Sequence, residues 1–117
     1  MSDLKNMQEE VVAFREARDW KQFHKPKDCA ISLALEAAEV MELLQWKSPE
    51  EIEAYKAGGA KHEAMSDELA DVLYWVLLLA EDFGVDLSSA WRNKMKKNDA
   101  KYPVEKAKGK HTKYTEL

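Results

Sequence analysis

Residues 60–84 read AKHEAMSDELADVLYWVLLLAEDFG. Nothing in this stretch breaks a helix before the final glycine, and glycine there supplies the left-handed residue that commonly ends one. The spacing predicts a helix from about Ala60 to Phe83, terminated by Gly84. Its apolar run, Val72 to Ala80, is nine residues long, too short to span a membrane. That helix is nonetheless apolar around most of its circumference, so it needs neighbours on several sides.

The flanking sequence predicts those neighbours. Leu4, Met7, Val11 and Phe14 recur at helical spacing, which predicts a first helix from about Asp3 to Arg18. Residues 20–28 contain Pro26 and read as a loop, with Asp28 as the cap of a second helix running to about Trp46. Ser48-Pro49-Glu50-Glu51 is a capping box with Pro at the first helical position. It opens a short helix that stops at Gly58-Gly59. Asp86 caps a last helix, Leu87 to Lys101, closed by Tyr102-Pro103. No stretch alternates with period two. The expected fold is all-α, four main helices plus one short helix. Residues 1–103 form the domain, and 104–117 a basic tail that is extended or partly disordered. The second helix is also apolar nearly all round, and one chain supplies few partners, so the bundle core is expected to be shared between chains of a homo-oligomer.

Composition narrows the function classes. The chain has 117 residues, 45% apolar and 34% charged, the balance of a globular protein and not a disordered one. A single cysteine, Cys29, excludes an internal disulfide framework and suits a reducing cytoplasm. Met1-Ser2-Asp3-Leu4 lacks the basic-then-apolar pattern of a signal peptide. The expectation is a cytoplasmic protein that does not enter a membrane. Net charge is −4, divided as −10 up to Trp91 and +6 from Arg92 onward. The acidic part suits cations and the basic part anions; a metal-bound polyphosphate carries both. The plainer alternative for the basic end is a solvated tail. Without a helix-turn-helix or other groove-reading pattern, nucleic-acid binding is not expected.

Two carboxylate pairs carry the chemistry. Glu36 and Glu39 lie on the second helix, Glu68 and Asp71 on the long one, each pair about 60° apart around its helix. Like charges at this spacing repel, more so in a low-dielectric groove, and a divalent cation reverses the sign of that interaction. A solvated acidic face is the alternative. However, Trp75 and Leu78 continue one face and Leu43 and Trp46 the other, which a solvent face would not do. Four carboxylates without histidine form an oxygen-only set that favours Mg²⁺, with Mn²⁺ a substitute. Di-iron bundles place histidine where Glu39 and Asp71 stand. His24, His62 and His111 do not cluster, and one cysteine cannot complete a thiolate-rich zinc site.

Lys94, Asn98 and Tyr102 share a stripe on the last helix that begins with Leu87, Ala90 and Trp91, expected to face the core. Lysine can neutralise a phosphate, and asparagine can donate to a phosphoryl or ribose oxygen. Trp20, Phe23, His24 and Trp46 flank the second helix and serve either core packing or stacking on a nucleobase.

Taken in order, residues 18–24 (RDWKQFH), Glu36-x-x-Glu39, Leu44-Gln45-Trp46, residues 67–72 (DELADV), residues 94–103 (KMKKNDAKYP) and Lys113-Tyr114-Thr115 resemble the MazG-like all-α nucleoside triphosphate pyrophosphatases, nearest the dCTP pyrophosphatase branch. The resemblance covers almost the whole chain. It implies a dimer or tetramer that hydrolyses a nucleoside triphosphate to the monophosphate and pyrophosphate with Mg²⁺. By motif match it implies Glu36, Glu39, Glu68 and Asp71 as metal ligands and catalytic residues, with Lys94 adding positive charge. Lys94, Asn98 and Tyr102 would meet phosphates and sugar, and Trp20 and Trp46 would line the base pocket; His24, Trp75 and Lys101 are expected to bind substrate as well. Two positions depart from the branch: Val11 stands where relatives carry His, and Trp75 where they tend to carry Tyr. A preference for dCTP or modified dCTP is therefore set beside broad house-cleaning of noncanonical nucleotides. From a different class, a non-catalytic helical assembly module is the other reading.

Overall fold

The computed structural model describes residues 3–117. Six helices follow in order: α1 (Asp3–Ala17), α2 (Pro26–Leu44), α3 (Pro49–Tyr55), α4 (Ala60–Phe83), α5 (Leu87–Lys101) and α6 (Val104–Ala107), then a 3₁₀ turn at Tyr114–Glu116. No strand occurs among the described residues. The chain forms two compact units, one ending at Gly84 and the other spanning Val85–Leu117.

In the first unit α4 is the central rod, and α1 and α2 both pack on it. Its predicted ends hold. Gly84 takes the left-handed conformation at φ 63°, and its N–H donates to the carbonyls of Ala80 and Glu81. Glycine pays no Cβ penalty there. The start of α2 differs from the prediction. The helix begins at Pro26, two residues before the expected cap, with Lys25 as N-cap and Asp28 inside the first turn. Proline lacks only an N–H that the first turn leaves unused, and its fixed φ suits the helix. Asp28 then acts by placing negative charge near the positive helix end. The helix also stops earlier, at Leu44, leaving Trp46 outside it at φ 66°.

Helix α3 shows both halves of its capping box. Ser48 Oγ accepts from the Glu51 N–H at 3.1 Å, and Glu51 Oε1 accepts from the Ser48 N–H at 3.3 Å. Ser48→Ala is expected to cost about 1 kcal/mol, read as a lower urea midpoint at unchanged slope; an unchanged midpoint would mean that α3 does not need its cap.

Among the described residues the buried apolar core is small: Val11, Cys29, Leu77, Leu78 and Ala80. Arg15 of α1 is buried with them at 1% exposure and pairs with Asp82 of α4 at 3.1 Å. At the solvent edge Gln8 Nε2 donates to Glu81 Oε2. These two contacts fix α1 along the C-terminal half of α4.

In the second unit the Asp86 side chain caps α5 by accepting from the Ser89 N–H at 3.1 Å. Leu87 and Ala90 are half-buried, but Trp91, expected to face the core, is 67% exposed. The segment after Pro103 is not the extended tail expected from its charge. It forms α6 and the 3₁₀ turn, and Tyr114 packs its ring edge-to-face on Tyr102. That aromatic contact gives a lysine-rich segment something to fold against.

Candidate metal centre and aromatic cavity

Packing of α2 on α4 brings the two carboxylate pairs together. One oxygen from each of Glu36, Glu39, Glu68 and Asp71 lies within 4.8 Å of the others. Glu36 and Glu68 are half-buried, Glu39 and Asp71 exposed. Glu36 Oε2 and Glu68 Oε2 are buried without a hydrogen-bond partner, a costly state for a carboxylate oxygen.

The electrostatics reflect this crowding. A hydrogen bond shared with Glu39, then burial and the Glu39 charge, push Glu68 up to about 7. Glu36 is also raised, by burial first, then by the hydrogen bond and charge of Glu39 and the charge of Asp71. Crowding thus favours the protonated form of Glu68 and Glu36, and a cation in the cluster would act in the opposite sense. Two orphaned oxygens and an all-oxygen donor set fit a hard divalent ion such as Mg²⁺.

A measurable linkage follows. A carboxyl whose pKa is raised on folding stabilises the fold fully below its unfolded value, and loses that contribution as pH rises through the folded one. Without divalent ions, thermal stability is expected to fall as pH rises from about 4.5 through about 7, the window set by the ordinary and raised values of Glu68. Saturating Mg²⁺ should flatten the fall and release protons near pH 6.5, visible by titration calorimetry in buffers of different ionisation enthalpy. Equal heats in all buffers would contradict this protonation state.

Beside the carboxylates lies a cavity of about 250 Å³. Glu36 and Asp71 line it together with Trp20, His24 and Trp75. The ring of His24 sits edge-on between Trp20 (5.7 Å) and Trp75 (5.2 Å), and its Nδ1 is buried without a partner. The Trp20–His24 loop folds back through the His24 N–H to the Trp20 carbonyl at 3.0 Å, and Asp19 makes the turn at φ 54°.

Two wall residues carry no site signal in the sequence: Phe14, which reads as the apolar face of the first helix, and Tyr74; their rings meet edge-to-face at 6.2 Å. Trp46, expected at the base pocket, does not line this cavity and is 90% exposed. Lys94, Asn98, Lys101 and Tyr102 lie on and just past α5, in the second unit. Asn98 is half-buried, and the other three are exposed.

Fold and site together define an all-α protein whose carboxylate cluster can hold a cation beside an aromatic cavity. Residues 31–117 match the MazG-like family. The chain is 37% identical over 117 residues to dCTP pyrophosphatase 1 of Mus musculus, covering all of this chain and 67% of the mouse protein. Identity to dCTP pyrophosphatase 1 of Homo sapiens is 36%, over all of this chain and 67% of that protein. Among solved structures, a pyrophosphatase from Archaeoglobus fulgidus DSM 4304 superposes with a TM-score of 0.77 at 32% identity, over 88% of this chain and 94% of that one. The chain belongs to the MazG-like family and is an enzyme of the nucleotide pyrophosphatase class. No helix among the described residues is long and apolar enough to cross a membrane.

Proposed function

We propose that this chain is a Mg²⁺-dependent nucleoside triphosphate pyrophosphohydrolase. It converts a (d)NTP and water to the (d)NMP and pyrophosphate, prefers dCTP or a modified dCTP, and serves nucleotide-pool sanitation in the cytoplasm. The convergence of Glu36, Glu39, Glu68 and Asp71 within 4.8 Å carries this reading. These four residues hold Mg²⁺, with Mn²⁺ a substitute. When bound, the metal supplies Lewis-acid chemistry, lowering the pKa of a water and neutralising charge on the leaving pyrophosphate.

The chain's own residues do the rest. Trp20, His24 and Trp75 offer ring faces and edges to a base and keep water from it. Base–aromatic stacking contributes about 1–3 kcal/mol per base. Trp46 joins the base pocket, and Lys94, Asn98 and Tyr102 meet phosphates and sugar, with Lys101 binding substrate beside Tyr102; family motif matches support the roles of Trp46, Lys94, Asn98 and Tyr102. Lys94 adds positive charge where negative charge develops. Large apolar side chains left exposed along α2, Ile31, Leu35 and Met41, support a homo-oligomer, dimer or tetramer.

Broad house-cleaning specificity is the second reading. It is favoured by Trp75, which lines the cavity at one of the two positions where the sequence departs from the dCTP pyrophosphatase branch. Pyrophosphate release from a panel of canonical and modified triphosphates, with and without Mg²⁺, decides between the readings. Preference for dCTP or its 5-modified forms supports the first, and similar rates across bases the second. No Mg²⁺-dependent release from any triphosphate would refute both.

A further inference from the structure

Lys113-Tyr114-Thr115 is the one motif of the sequence that the proposed function leaves without a role. Within the unit Val85–Leu117, Tyr114 opens the 3₁₀ turn, and its ring makes two contacts at the end of α5. It meets the Tyr102 ring edge-to-face at 6.0 Å and 78°. It also lies under the Lys101 ammonium, with Nζ 4.7 Å from the ring centroid. Lys101, Lys106 and Tyr114 thereby border an open hollow of about 350 Å³, with Pro103 and Leu117 on its other sides.

Neither target is well fixed by its own helix. Lys101 is the last residue of α5, and Tyr102 is its C-cap, at φ −124° and ψ 65°. Both side chains are exposed. A lysine stem is flexible and loses much rotamer freedom when a ligand immobilises it. An aromatic face that already holds the ammonium removes part of that cost before binding.

We propose that Tyr114 is a positioning residue: its ring holds the Tyr102 ring and the Lys101 ammonium in the arrangement in which they receive the nucleotide's phosphates. The proposal rests on the assignment of Lys101 and Tyr102 to substrate binding. It makes residues 104–117 part of the binding apparatus and not a solvated tail.

Steady-state kinetics on the full chain, with Mg²⁺ and the triphosphate turned over fastest, test it. Tyr114→Ala is expected to raise KM about three- to tenfold, the scale of a lost cation–π contact and its preorganisation, with kcat within about twofold. Tyr114→Phe keeps both ring contacts and should restore KM. Tyr114→Leu keeps apolar bulk without a π face and should behave like alanine, which also serves should the alanine variant unfold. A merely structural role would lower the thermal midpoint of Tyr114→Ala and leave KM where it was. If Lys101→Ala raises KM while Tyr114→Ala and Tyr114→Leu leave it unchanged, or if Tyr114→Phe fails to restore it, the positioning role is overturned. If Lys101→Ala and Tyr102→Ala both leave KM unchanged, the substrate assignment itself fails, and the proposal with it.

Discussion

Glu39→Gln and Asp71→Asn are each expected to lower Mg²⁺-dependent pyrophosphate release by about a hundredfold or more, equivalent to ~2.7 kcal/mol of barrier. Each exchange is nearly isosteric and removes one negative charge from a set whose oxygens lie within 4.8 Å. Both residues are exposed, so neither exchange opens a hole in the core. Stability without Mg²⁺ should hold or rise, because the neutral amide relieves like-charge repulsion. Glu39→Gln carries a second signature. Glu39 supplies the first cause of the Glu68 shift, so its loss should return Glu68 toward its ordinary range. The pH dependence of metal-free stability between about pH 4.5 and pH 7 should then flatten. If either variant keeps full Mg²⁺-dependent activity, that residue is not a ligand, and the proposed centre is wrong.

What could be read from sequence, and what could not, follows from how local each signal is. The end of α4, the start of α5 and the start of α3 are set by residues within one turn: Gly84, Asp86 and the Ser48–Glu51 box. Sequence places the start of α2 two residues late because proline breaks a helix everywhere except its first turn, and Pro26 occupies that turn. The local composition of the tail, basic and polar, reads as extended or partly disordered, while its folding depends on Tyr102 and Tyr114, twelve residues apart. At the site, each carboxylate pair was visible at i,i+3. That the pairs meet depends on α2 packing on α4, which the apolar faces of the two helices imply and no single motif states. Phe14 and Tyr74 were missed for a different reason. An aromatic at helical spacing reads as core whether it faces a core or a cavity, although Tyr74 stands three residues after Asp71 and so shares its side of α4.

Arg15 gave no sequence signal, since its partner lies 67 residues away, yet it underlies the largest stability effect expected here. Arg15 is 1% exposed, Asp82 is 10% exposed at its side chain, and two guanidinium nitrogens donate to the two carboxylate oxygens at 3.1 and 3.5 Å. The remaining nitrogen, Nε, is buried without a partner. Desolvation therefore already weighs on this pair, and it depends on Asp82 for its compensation. Asp82→Ala is expected to cost about 3–5 kcal/mol, the usual scale for stranding a buried charge. That corresponds to a thermal midpoint lower by roughly 10 °C or more for a chain of this size. Replacing both partners with apolar side chains, Arg15→Met with Asp82→Leu, should recover most of the loss, since the stranded charge is then gone. Cys29, fully buried in the same core, reports the same field. Its thiol is pushed up by burial and by Asp82 and pulled down by Arg15, so its pKa should fall in Asp82→Ala and fall less in the double variant. Urea unfolding at one fixed protein concentration compares the variants with concentration held constant, as an assembling chain requires. A loss below about 1 kcal/mol in Asp82→Ala would mean that solvent reaches the guanidinium and that the pair is a surface one.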